Sequence, residues 1–90
     1  MNRLYVIQYG TLEIRGLVSH GELPEVVRDF YRLAEQKGAK ADYRGEGLFV
    51  AMKEEVQVTL TIGAYHHAIP SKMLVDALTE VMEVAFQKNM

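Results

Sequence analysis

RLYVIQYGTLEIRGLV, residues 3–18, decides the fold. Two runs rich in β-branched and aromatic residues, 3–9 and 11–18, meet at Gly10, the pattern of a β-hairpin. A two-residue Gly10-Thr11 turn suits type II′, which wants glycine at its first central position. In that register Tyr9 faces Leu12, Ile7 faces Ile14 and Tyr5 faces Gly16. Directly opposed residues share a sheet face. Tyr5, Ile7, Tyr9, Leu12, Ile14 and Val18 therefore make one strongly apolar face, while Leu4, Val6 and Leu17 lie on the other beside Gln8, Glu13 and Arg15.

Downstream, Pro24 opens PEVVRDFYRLAEQK and Gly38 follows its end, the usual punctuation of a helix. Val27, Phe30, Tyr31 and Ala34 recur at helical spacing, with Val26 and Leu33 widening the stripe. The second half repeats the plan. GLFVAMK (47–53) and VQVTLTI (56–62) read as a hairpin through Glu54-Glu55, and Pro70 opens a second amphipathic helix, SKMLVDALTEVMEVAFQK. Between the halves, ADYR (41–44) before Gly45-Glu46 leaves a short fifth strand open. The expected fold is α+β, a two-layer ββα–ββα sandwich with a four-stranded antiparallel sheet and two helices. Residues 1–90 form a single domain with pseudo-repeat halves 1–38 and 47–90.

Composition narrows the function classes. Hydrophobic residues at 49% and charged residues at 24% describe a folded globular chain. No cysteine is present, which removes thiolate chemistry, disulfides and cysteine-based zinc sites. A net charge of −2 offers no broad attraction to nucleic acid or acidic membranes. No apolar run approaches the ~20 residues of a membrane span. The N-terminus lacks a continuous apolar signal-peptide core, so a cytoplasmic location is expected.

Few residues carry a chemical signature. His66 and His67 are sequence neighbours that point apart on an extended segment, unlike the i, i+4 pair of a helical zinc motif. With His20 and Tyr65 they form a candidate ligand set at the strand–helix loops, provided those loops converge; no metal or cofactor is expected. Asp76, Glu80 and Glu83 share the polar side of the second helix with Lys72, Thr79 and Gln87, a solvated face that supplies no cleft for acid–base work. RGEG (44–47) lacks the context of a phosphate loop, and Ser19 and Ser71 lack a nucleophile elbow, so no catalytic residue is assigned. Arg28, Arg32, Lys40 and Arg44 are the best candidate nucleic-acid contacts, but Glu25, Asp29 and Glu35 are interleaved with them and nucleic acid is disfavoured as a partner.

What remains is surplus apolar surface. Leu4, Val6 and Leu17 on the outer face of the first hairpin join Leu48, Val50 and Met52 on that of the second if the strands holding 4–6 and 48–52 lie near each other. On the second helix Val75, Val84 and Phe86 fall outside the main stripe. A contiguous apolar patch on the order of a few hundred Å² marks an interface or ligand groove. The alternative is that the two helices cover opposite sheet faces. The expected function is a small non-enzymatic interaction or regulatory module, self-associating as a homodimer and binding another protein. A pocket binder or small enzyme using the loop histidines stands as the alternative.

Overall fold

A computed structural model describes residues 1–67 and 73–87. Five strands and two helices follow one another: β1 (Asn2–Tyr9), β2 (Leu12–Ser19), a 3-10 turn (His20–Glu22), α1 (Leu23–Gln36), β3 (Lys40–Gly45), β4 (Leu48–Lys53), β5 (Val56–His66) and α2 (Leu74–Ala85). The strands form one antiparallel sheet in the order β2-β1-β5-β4-β3. The start of the second helix at Pro70 lies outside the described residues, where α2 begins at Leu74.

The first hairpin has the expected register, with Tyr9 opposite Leu12, Ile7 opposite Ile14 and Tyr5 opposite Gly16. Its turn places Gly10 at φ +58°. The β4–β5 hairpin also turns through Glu54-Glu55, with Lys53 opposite Val56. That turn lacks glycine, and Glu54 takes the left-handed region at φ 56°, at a cost of about 1 kcal/mol. The fifth strand is real and longer than 41–44: β3 spans Lys40–Gly45. Its turn to β4 falls on Glu46-Gly47, one residue later than Gly45-Glu46, since Gly45 pairs with Leu48. Both central residues have positive φ, 53° and 78°, as a type I′ turn requires.

Strand order, open in the sequence, is set by the sheet. β1 and β4 are not neighbours, because β5 lies between them and pairs with both. The longest strand thus becomes the middle of the sheet, and the second half is βββα, not ββα.

Both helices pack on the same sheet face. α1 contacts β3 and β4, α2 contacts β1, β2 and β5, and the helices touch each other. One core joins Val26, Phe30, Leu33 and Ala34 of α1 to Leu78, Val81 and Met82 of α2 over Tyr5, Ile7, Val18, Phe49, Ala51, Val58, Leu60 and Ile62. These strand residues alternate along each chain, so their intervening neighbours point to the other side. The arrangement with helices on opposite faces is excluded. α1 ends in a Schellman motif: Gly38 N–H donates to the Glu35 carbonyl and Ala39 N–H to that of Ala34. Lys53 Nζ donates to the Lys37 carbonyl at 3.1 Å, tying the end of α1 to β4.

Gly47 is the tightest point of the turn layer. It sits at φ +78°, and a Cβ there would lie 2.2 Å from the Ile62 carbonyl oxygen. The Gly47 carbonyl accepts from Ile62 N–H at 2.8 Å, so the backbones cannot separate without losing that bond. Gly10 also has positive φ, but its Cβ would meet nothing within 4 Å. Gly47→Ala should therefore cost more than about 2 kcal/mol in urea unfolding, and Gly10→Ala only about 1. Equal costs would show that backbone conformation, and not the contact with β5, sets the need for glycine.

Candidate functional site

The sheet face away from the helices carries the apolar residues singled out in the sequence. Across the strands, one row reads Arg15, Val6, Thr61, Leu48, and the next Glu13, Gln8, Thr59, Val50, Asp42. Leu17 opposite Leu4 adds a row at one end, and Gln57, Met52, Lys40 a row at the other. Val50 is only 4% exposed although it is no part of the helix-side core. Leu4, Val6, Leu17 and Leu48 are half-buried, and Met52 is 37% exposed. The apolar strip is continuous only through Thr59 and Thr61 of β5, which stand between β1 and β4. Charges are confined to the edge strands, Glu13 and Arg15 on β2 and Lys40, Asp42 and Arg44 on β3. No buried polar or charged residue interrupts the centre among the described residues.

The three α2 residues separate. Val84 is 55% exposed and Val75 half-buried, but Phe86 is 3% exposed and belongs to this chain's own core. Phe86 thus offers a partner almost no surface, as does Val50. The helix ends at Ala85, and Phe86 caps it, its N–H donating to the Met82 carbonyl while its side chain joins the core cluster.

The loop residues partly converge. β1 starts between the end of β2 and the end of β5, with Asn2 opposite both Ser19 and His66. His20 N–H donates to the Met1 carbonyl at 2.9 Å. The rings of His20 and Tyr65 lie 5.8 Å apart. His66 and His67 are exposed, and no group of three metal-ligating side chains occurs among the described residues. Tyr65 owes its position to a bulge: Arg3 pairs with Tyr65 but Tyr5 with Ile62, so β5 carries one extra residue there. The extra residue moves Tyr65 onto the helix side, beside Arg3. The Arg3 guanidinium lies 4.5 Å from the Tyr65 ring centre, and its Nε donates to the Gly63 carbonyl.

Of the basic residues, Arg28, Arg32 and Lys40 line one groove between α1 and β3 with Tyr31 and Glu35, whereas Arg44 is not part of its wall. Arg32 is paired with Asp29. Asp76, Glu80 and Glu83 are exposed on α2, and RGEG is the β3–β4 hairpin. Ser71 and Lys72 lie outside the described residues. Burial raises the Tyr5 phenol above its ordinary value where it packs over Gly16.

The sequence reading missed a second feature, a cleft of about 440 Å³ lined by Arg3, Leu23, Val27, Tyr31, Tyr43, Gly47, Phe49 and Ile62. Helical spacing places Val27 and Tyr31 in the apolar stripe, but the buried residues of α1 are Val26, Phe30, Leu33 and Ala34. The stripe is rotated, which leaves Val27 and Tyr31 at its margin. Gly63 inside an otherwise regular strand was the available signal for the bulge beneath the cleft.

Comparison with known proteins found no matching family model, no matching curated protein and no matching solved structure.

Phe86→Asp should abolish the cooperative thermal transition, since truncating a buried phenylalanine already costs about 3–5 kcal/mol. Val84→Asp should shift stability by no more than about 0.5 kcal/mol. Circular dichroism melts distinguish them, and similar melts for both would contradict the placement of Phe86 in the core.

Proposed function

We propose that the protein is a homodimeric interaction module in which two copies pack uncovered sheet face against uncovered sheet face. The carrying observation is that both helices lie on one side of the sheet, while the other side presents Leu4, Val6, Leu17 and Leu48 around Thr59 and Thr61, with the nearly buried Val50 beside them.

Size supports a second copy as the occupant. Five strands about 4.8 Å apart and about six residues long make a face on the order of 500 Å² in projection. Side-chain relief brings its accessible area toward the ~800 Å² per partner of a stable interface.

The charge pattern supports it too. With the two-fold axis along β5, β1 lies over β4 of the partner subunit and β2 over its β3. Level stacking would set Glu13 against the partner's Asp42, a like-charge contact. Face-packed sheets, however, cross at about 30°. Across two strand spacings, this displaces the edges by about one row of side chains. Displaced one way, Glu13 meets the partner's Lys40 and Arg15 its Asp42; displaced the other way, Glu13 meets its Arg44. The sheet centre, without charge, then supplies a desolvated apolar contact, and the edges supply orientation.

Light scattering on eluted protein should give about twice the 10.2 kDa chain mass. Val6→Arg and Leu48→Arg should each yield a folded monomer by circular dichroism, because neither side chain belongs to the helix-side core. A buried unpaired charge at the seam costs several kcal/mol. A wild-type monomer at high micromolar concentration would contradict the proposal.

A further inference from the structure

We infer that the cleft between α1 and the β3–β4 turn binds a small molecule consisting of a planar ring system with one anionic group, carboxylate or phosphate. The cleft lies on the helix side of the sheet, so this site is independent of the face proposed for dimerisation.

Its walls come from elements whose positions are already fixed. Leu23, Val27 and Tyr31 recur every four residues and form one wall along α1. Opposite stand Phe49 of β4, Tyr43 of β3 and Ile62 of β5. Tyr43 packs against Phe49 with ring centres 4.7 Å apart and planes inclined at 42°, and its hydroxyl accepts from the Gly47 N–H at 3.1 Å. That bond holds the tyrosine ring along the cleft edge. Gly47, which no side chain can replace without striking Ile62, keeps the floor open.

Both tyrosines offer open ring surface at the cleft. Tyr31 is 39% and Tyr43 54% exposed, although both flank the apolar core. The volume, about 440 Å³, falls within the ~300–1,000 Å³ of small-molecule pockets. Aromatic rings on both walls, Tyr31 on one and Tyr43 and Phe49 on the other, favour a flat apolar body, through offset or edge-to-face ring contacts.

Charge selects the remainder. Arg3 is the one charged residue lining the cleft, and no carboxylate lines it. Among the described residues no carboxylate forms a salt bridge with Arg3, which is held by the Gly63 carbonyl through Nε and by the face of Tyr65. Nε is thus used for positioning, which leaves the two terminal nitrogens to meet an anion. A guanidinium fork presents parallel donors to a carboxylate or phosphate. The β5 bulge is what makes this possible, since it frees the Gly63 carbonyl and brings Tyr65 to the same side as Arg3.

The test is amide chemical-shift titration of the intact protein with three probes: indole-3-acetate, phenyl phosphate and neutral indole. At least one of the two anions should bind about tenfold or more tightly than indole, with the largest shifts at Gly47, Tyr43, Phe49 and Arg3. Which anion binds more tightly distinguishes a carboxylate from a phosphate ligand. Arg3→Gln should reduce anion affinity to that of indole. Tyr43→Ala, at an exposed edge position, should weaken all the probes that bind while preserving the spectrum elsewhere. Arg28→Gln, outside the cleft, should change nothing. Failure of both anions to bind, equal affinity for indole and the tighter anion, or shifts centred away from the cleft would each overturn the inference. If Arg3→Gln does not fold, the comparison of anions with indole on the wild-type protein decides alone.

Discussion

One-sided coverage of the sheet is the constraint on which the rest depends. A five-stranded antiparallel sheet has two faces, and both helices of this chain share one of them. The helix-covered face holds the largest fully buried side chains, including Phe30, Ile7, Leu60, Leu78 and Met82. The other face must then be either polar or covered from outside. It is not polar at its centre: Val6, Leu48 and Val50 flank the two threonines of β5. Threonine there keeps high β propensity while limiting the apolar surface that a free monomer exposes. The edges, where neighbouring sheets would otherwise add strands, carry Glu13, Arg15, Lys40, Asp42 and Arg44. Charged edge strands discourage edge-to-edge growth and leave the face as the surface for association.

Local chemistry was legible in the sequence. The Gly10 hairpin, its register and its two faces follow from one turn residue and strict alternation. Gly38 as the end of α1 follows from the left-handed conformation that a Schellman motif needs. The Glu54-Glu55 turn was weaker as a signal, because neither residue favours positive φ, yet alternation on both flanks imposed the register.

Features that depend on distant closure were not legible. Nothing in residues 47–62 says that β5 inserts between β1 and β4, since strand order depends on which edges pair after the chain returns. The sharing of one face by Leu4, Val6 and Leu17 and by Leu48, Val50 and Met52 was therefore legible, but not which strands stand side by side. The burial of Phe86 was not legible either, because it sits at the helix cap beyond the main apolar stripe yet joins the core cluster. The cleft was missed for two reasons. The α1 stripe is rotated from its apparent centre, and a single extra residue near Gly63 reverses the facing of Tyr65. A bulge changes which residues share a face without changing composition, so alternation alone carries no trace of it.

The most direct test of one-sided coverage and its consequence is an isotope-filtered NOE experiment on a mixed dimer, one copy carrying ¹³C methyl groups and the other none. Within one chain Val6 and Leu48 are separated by β5, a distance of about two strand spacings or 10 Å, beyond ordinary methyl–methyl NOE range. Filtered cross-peaks between the methyl groups of Val6 and those of Leu48 or Val50 are the expected result, and they can arise only across the interface. Cross-peaks confined to α2 methyl groups such as Val84, or none at all in a confirmed dimer, would contradict face-to-face packing of the sheets.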